Sequence, residues 1–381
     1  MELERLIKRS RVIEGRLAGN IFGTIAIGSD GKTKGVGENP SLSKRCVALF
    51  SDQRSFFAIT NNFNIKCHAV SPYMTNDVVN MPYAAFLSDG ICSENIKKVD
   101  SNLNIIVALY LDGNVSVYGD CKNGEVAASG WTNMDDVFIV DGGVIGVTKE
   151  GEILLCGKGA QQYTEMTKWN NIARIKKIVA GPVRGLSYSG FIGLKKDGTL
   201  VYCGEDNDFK AQISDCENVV SFDAWTNGGY VQQFYFVSAD GSIGCFSRDN
   251  EALNNCEGIH HTHGNNFVAV KYLPSGPHYI KYDGTVVAIP QAQILSNLAK
   301  DIVKGLCGEY YFTADYAINH AEKNPLANDV KDWKIFDDPD EVLRCYEGFE
   351  DGSFARNKKC RYCGGDLKGF LFKKCVNCGK N

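Results

Sequence analysis

Residues 191–204 read FIGLKKDGTLVYCG. Phe191 to Leu194 favours β-structure, Lys195-Lys196-Asp197-Gly198 is a turn signal, and Thr199 to Cys203 is a second β-favouring run closed by Gly204. Asp-Gly between two such runs predicts a hairpin, because both residues tolerate the positive φ that matches strand twist. The unit recurs. Gly31 is followed six residues on by Gly37, Gly113 by Gly119, Gly151 by Gly157 and Gly198 by Gly204, while Gly241 leads to Ser247 and Gly284 to Pro290. Two weaker copies lack the turn glycine: FFAITNNFNIKCHA around Asn62 and YYFTADYAINHA around Tyr316. From Gly151 on, the strict copies lie 47, 43 and 43 residues apart. Strand–turn–strand units at a period of about 40 residues predict a β-propeller or β-solenoid, in which each unit buries its apolar face only against its neighbours.

The stretch before each hairpin repeats as well. Val137 to Gly143, Ile175 to Gly181, Val219 to Trp225 and Asp301 to Gly308 are short β-rich runs ending at a small or aromatic residue, and each reads as the strand that opens the next blade. Joined to the hairpin, the phrase apolar-Val-Ala-Gly … apolar-x-Leu-x-x-Asp-Gly-Thr-Val-x-x-x-Gly resembles the repeat of the regulator of chromosome condensation family over about residues 10–330. The family's Gly-x-x-His before the hairpin is missing; Leu186 to Ser189 and Phe234 occupy that region. The resemblance implies an all-β propeller. Seven blades are preferred on family grounds, whereas the eight phrases leave eight open, and Ser88-Asp89-Gly90 reads as an insertion. Members of that family act through a propeller face and share no catalytic motif, so the fold alone does not choose a function.

Forty glycines suit many tight turns, and no apolar run approaches the 18 residues of a membrane span. The start, MELERLIKRSRVIEG, is charged throughout and does not read as a secretory signal; it predicts either a short helix with Leu3, Leu6 and Ile7 on one face or a direct run into a strand. Of 15 cysteines, Cys156, Cys203 and Cys245 fall at strand positions and read as small apolar core residues. The odd count and a thiolate metal motif favour a reducing compartment, hence a cytoplasmic protein.

The propeller pattern covers residues 1–338, an acidic and turn-like linker is expected over 339–359, and 360–381 reads as a zinc ribbon. There Cys360 and Cys363 form one C-x-x-C and Cys375 and Cys378 another, with eleven residues between the two pairs. Two such knuckles supply four thiolates in the tetrahedral arrangement that suits Zn²⁺; with all four ligands from protein the site is structural, and the metal supplies folding free energy that about 25 residues lack. Phe370, Leu371 and Phe372 are expected to form the strand between the knuckles. Residues 356–381 carry +7 within a chain of −4, so residues 1–355 carry −11. That basic tail offers phosphate contacts to nucleic acid, against the blander reading of a solvated tail or one docked on an acidic surface.

Other motifs are weaker. Gly31-Lys32-Thr33 lacks the first glycine of a phosphate loop, and Gly185 to Ser189 lacks the last glycine of a nucleophile elbow. His260, His261 and His263 form a cluster whose alternate members could share a strand face and bind a metal; the plainer reading is a polar inter-blade segment. Trp131, Tyr163, Trp169, Trp225 and Tyr230 recur between blades, as core packing or as anchors for a partner protein. The leading expectation is a non-enzymatic scaffold that binds a protein through one propeller face, with the ribbon as accessory. The alternatives are nucleic-acid binding through the ribbon and a lyase-like enzyme built on His260 to His263.

Overall fold

The computed structural model describes residues 2–20, 23–37, 46–51, 55–61, 63–69, 95–102, 105–179, 188–227, 230–247, 260–262, 266–273, 276–288, 333–353, 359–360, 365–369 and 374–376. Seven antiparallel sheets follow one another along the chain. Blade 1 holds β1 (Leu17–Asn20), β2 (Gly23–Ile27) and β3 (Thr33–Gly37), and blade 2 holds β4 (Cys46–Ser51), β5 (Ser55–Thr60) and β6 (Ile65–Ala69). Blade 3 is β7 (Ile96–Ser101), β8 (Ile105–Tyr110) and β9 (Val115–Gly119); blade 4 is β10 (Met134–Val140), β11 (Gly143–Thr148) and β12 (Ile153–Cys156). Blade 5 is β13 (Ile172–Val179), β14 (Tyr188–Lys195) and β15 (Leu200–Gly204). Blade 6 carries four strands, β16 (Val219–Asn227), β17 (Tyr230–Ser238), β18 (Ile243–Ser247) and β19 (His260–Thr262), and blade 7 is β20 (Phe267–Leu273), β21 (Gly276–Lys281) and β22 (Val286–Ala288).

The core lies between blades. Side chains of a strand alternate between its two faces, so Phe191 packs with Ile145 and Val147 of blade 4 while its neighbour Ile192 packs with Phe222 and Phe234 of blade 6. Comparable clusters fill the other junctions, with Ile25 and Leu49 between blades 1 and 2, Phe57 and Ile106 between 2 and 3, Val107 and Val137 between 3 and 4, and Phe236 and Tyr279 between 6 and 7. Leu17 and Ala26 of blade 1 share a cluster with Ala269 and Ile280 of blade 7. The last described sheet therefore packs on the first, and the seven sheets among the described residues close on one another as a propeller. The hairpin expected around Tyr316 lies outside the described residues, as does the run Asp301 to Gly308.

A polar staple explains the spacing of the glycines. Each Asp-Gly turn places its glycine at φ between 76° and 88°, and the Glu-Gly turn of blade 4 places Gly151 at 90°; the preceding aspartate accepts the amide two residues on, as Asp197 does from Thr199 at 3.0 Å, while in blade 4 the Thr148 hydroxyl accepts the Glu152 amide at 3.1 Å. The glycine carbonyl then accepts the first amide of the following blade: Cys46 to Gly31, Met134 to Gly113, Ile172 to Gly151, Val219 to Gly198 and Phe267 to Gly241, at 3.0–3.2 Å. In blade 2, Phe63 takes the glycine's place at φ 56° and accepts from Ile96 at 2.8 Å. A left-handed phenylalanine costs roughly 1–2 kcal/mol; complete burial of its ring, edge-on to Tyr346, offsets that. The copy around Asn62 is thus a true blade hairpin.

Helix α1 (Glu2–Glu14) precedes blade 1, and α2 (Asn207–Ile213) covers the outer strand of blade 5. Beyond blade 7 the staple forms once more, from the Ile335 amide to the Gly284 carbonyl at 2.9 Å. The chain then enters α3 (Pro339–Glu350) instead of another strand. Residues 339–350 are thus helical, not turn-like. Asp338 caps the helix by accepting the Asp340 amide at 2.9 Å, Pro339 sits in the first turn, and Asp340 and Glu341 face the positive end of the helix dipole.

Candidate functional site in the axial channel

The first strand of each blade lines the axis. In blades 2 to 7 this strand carries a register shift after its first residue, and such a bulge re-aims the side chains that follow. Aligned at the bulge, oppositely charged residues occupy equivalent positions in neighbouring blades. Lys97 meets Asp135 at 2.7 Å and Lys98 meets Asp136 at 2.5 Å across blades 3 and 4, and Lys176 pairs with Asp223 across blades 5 and 6. The aspartates also satisfy backbone groups that the innermost edge leaves free. Asp100 accepts the Ile139 amide of the next blade and Asp223 the Tyr272 amide, each at 2.8 Å.

Helix α1 closes the channel at the turn face. Ile7 and Ile13 are buried, Ile7 in the cluster of blades 5 to 7 and Ile13 in that of blades 7 and 1. Glu14 is 3% exposed and forms a two-pronged pair with Arg174, and it also accepts from the Ser221 hydroxyl at 2.5 Å. Arg11 donates to Asp135 at 2.6 Å and lies 3.1 Å from Asp136. Ser10 donates to the Val268 carbonyl at 2.7 Å. Lys271 has no carboxylate partner among the described residues and donates instead to the carbonyls of Glu14 and Leu17.

Protonation follows from burial and pairing. Burial alone pushes the Asp100 carboxyl up, but Lys177 and Lys98 outweigh it and hold the group below the ordinary carboxylate range. Asp135 behaves likewise through Arg11 and Lys97. For Lys98 and Lys176 burial wins over their aspartate partners and lowers both. Lys271, buried and close to Lys176, falls to about 8. Beside α1 a cavity of about 570 Å³ remains, walled by the first strands of blades 2 to 5, Lys271 and Tyr346 of α3.

Both terminal helices lie on the face that carries the Asp-Gly turns. Glu4 pairs with Lys196 of the blade 5 turn at 3.3 Å, Asp340 accepts from Tyr282 of the blade 7 turn at 3.3 Å, and Tyr346 packs on Phe63 of the blade 2 turn. Arg16 closes the ring on this side, donating to the carbonyls of Ile335 at 3.1 Å and Gly28 at 2.7 Å. Burial lowers this guanidinium to about 10.

The sites expected from sequence are placed as follows. Cys360 and Cys375 are both buried and share one small cluster with Leu367 and with Cys345 of α3. Around them the Cys360 amide donates to the Gly365 carbonyl at 2.8 Å, and β23 (Leu367–Lys368) pairs with β24 (Lys374–Cys375). Cys363, Cys378 and Phe370 to Phe372 lie outside the described residues, and no group of three or more metal-ligating side chains occurs among those described. His260 and His261 form part of β19, the outer strand of blade 6, while His263 lies outside the described residues. Tyr163 and Trp169 are buried between blades 4 and 5, and Trp131 packs between blades 3 and 4, so these three are core and not partner anchors. Cys156, Cys203 and Cys245 are buried free thiols; burial raises Cys203 to about 11 and Cys245 to about 12, which leaves them unreactive. The charges around α1 were not singled out from sequence. Their signal was the Lys-Lys-x-Asp, Asp-Asp and Arg-x-Lys-Lys runs inside strands that otherwise read as apolar.

No helix among the described residues is long and apolar enough to cross a membrane. No protein-family model matches the sequence, and no curated protein matches it. Solved structures give distant likenesses. The ectodomain of the Physcomitrella patens receptor kinase CR4 shows 10% identity over 61% of this chain and 63% of its own, with a TM-score of 0.41. The chain thus spans less than two thirds of that ectodomain. Prp20p from Saccharomyces cerevisiae shows 12% identity over 71% of this chain and 70% of its own, with a TM-score of 0.32. The WD40 propeller domain of Doa1 shows 10% identity, covers 70% of this chain and 88% of its own, and has a TM-score of 0.39. The assignment as a propeller rests on the chain's own seven stapled sheets and their closure.

Proposed function

We propose that this protein is a non-enzymatic scaffold that binds a protein partner through the propeller face opposite α1 and α3. The observation that carries this reading is the occupation of the axis and the turn face by the chain's own helices, with Glu14, Arg11 and Ser10 bonded to the inner strands. Neither α1 nor α3 covers the opposite face. In each blade the antiparallel pairing ends the first strand, begins the second and ends the third on that face. Loops on a rigid scaffold are where binding residues concentrate. Cys360, Cys363, Cys375 and Cys378 would hold one structural Zn²⁺, with Cys345 docking the ribbon on α3.

The test is affinity capture with the intact chain and with a truncation ending after Asp351, which keeps α3 and the Ile335 staple. A partner that both capture supports binding by the propeller. A partner lost on truncation moves the interaction to the ribbon. Absence of a partner together with turnover in a substrate screen overturns the scaffold reading. Metal analysis of the intact chain should give one zinc, lost in Cys375→Ser, and a zinc-free chain contradicts the ribbon.

A further inference from the structure

We infer that the axial cavity beside α1 binds a small multivalent anion of the oligophosphate class. Ten basic and five acidic side chains line it. Asp100 and Asp223 stand behind Lys177 and Lys176, so the walls keep three positive charges in excess. This excess sits inside a body whose residues 1–355 carry −11. A walled cleft of one sign focuses field and raises the local concentration of the opposite ion. A volume of about 570 Å³ lies within the range of small-molecule sites.

The arrangement suits phosphates better than a single carboxylate. Cations come from several blades and from α1, so they surround the space instead of forking onto one point, and lysines act as strongly hydrated point charges with rotatable donors. Two lysines have no carboxylate partner among the described residues. Lys149 is exposed in the blade 4 turn and brings the cavity to solvent, and Lys271 lies deeper, bonded only to carbonyls. Burial disfavours the charged forms of Lys98, Lys176 and Lys271, and an anion among them would relieve that penalty. The scaffold reading does not depend on this site, because it uses the other face.

Calorimetric titration of the intact, metal-loaded chain with sodium tripolyphosphate at pH 7 tests the inference. Binding should weaken about tenfold or more in Lys149→Gln/Lys271→Gln, the loss expected for a charge-assisted hydrogen bond. It should change less than about twofold in Lys368→Gln/Lys374→Gln, which removes two exposed charges from the ribbon. No binding by the unmodified chain, or binding that survives the first substitution, overturns the inference. So does equal or greater loss in the ribbon variant, since that places the anion on the tail. If the cavity variant does not fold, Lys149→Glu in the exposed turn reads the same site and should weaken binding by a similar factor; unchanged affinity there overturns the inference equally.

Discussion

The rim and the axis of this propeller are built on opposite plans. At the rim every junction repeats one device, a turn residue with positive φ whose carbonyl takes the first amide of the next blade, from Gly31 to Cys46 through to Gly284 and Ile335. Around the axis the charge pairs differ from junction to junction: Lys97–Asp135 and Lys98–Asp136 join blades 3 and 4, Lys176–Asp223 joins 5 and 6, and Arg174 turns to Glu14 of α1 instead of to another blade. Repetition at the rim specifies how blades are spaced. Individuality at the axis specifies which helix fits in one orientation and where charge is left over.

Five substitutions or conditions sharpen that contrast, in descending order of effect. Glu14→Gln leaves Arg174 buried without its carboxylate and should cost about 3–5 kcal/mol by denaturant unfolding, whereas Glu14→Gln/Arg174→Met should recover most of the loss. A cost below 1 kcal/mol would mean that α1 is not seated. His278, fully buried on β21 beside Lys271 in register, donates through Nδ1 to the Gly276 carbonyl at 2.9 Å while Nε2 has no partner among the described residues. Burial lowers its pKa from 6.5 to about 4. The unfolded chain takes up this proton below 6.5 while the native chain resists until about 4. Stability therefore falls as pH drops through that window, by about 3 kcal/mol in all, and His278→Gln should flatten the slope.

Gly284→Ala should cost about 2–3 kcal/mol, because its Cβ would overlap the Phe336 carbonyl at the closing staple and the residue holds φ 82°. Gly276→Ala, with φ 114° and open space around it, should show the strain alone, about 1 kcal/mol less by thermal unfolding. Smallest is Lys8→Ala, which removes a 2.8 Å pair with Glu347 where both side chains are 46% exposed; it should change stability by less than about 1 kcal/mol.

The rim was legible in the sequence and the axis was not. Asp197-Gly198 and its copies announce hairpins because the chemistry of a tight turn is local: a glycine for the φ and an aspartate for the amide two residues on. Phe63 escaped the pattern because burial, a tertiary effect, holds it in a conformation its own geometry opposes. Helix α3 was signalled by Asp338-Pro339, but the acidic run that follows also fits a linker. That α1 is a helix was one of two readings of its residues. That it closes the channel depends on Arg174, Ser221 and Asp135, residues 124 to 207 positions from their partners in the helix, which no local pattern encodes. The inner-strand charges show their pairing only when strands are aligned at the bulge, since Lys97 and Asp135 share a position and not a motif. Of the four cysteines in the C-x-x-C pairs, Cys360 and Cys375 share one small buried cluster, and Cys363 and Cys378 lie outside the described residues.

The central claim is that α1 forms the plug of a closed ring. Native-state hydrogen exchange of the amides from Ile7 to Glu14 tests it directly, because a buried, bonded helix opens only with the structure around it. The structure predicts that these amides exchange no faster than those of the inner strands β13 and β16, with an opening free energy equal to that of global unfolding. Exchange at the rate of an unstructured peptide, while β13 and β16 remain protected, would contradict it.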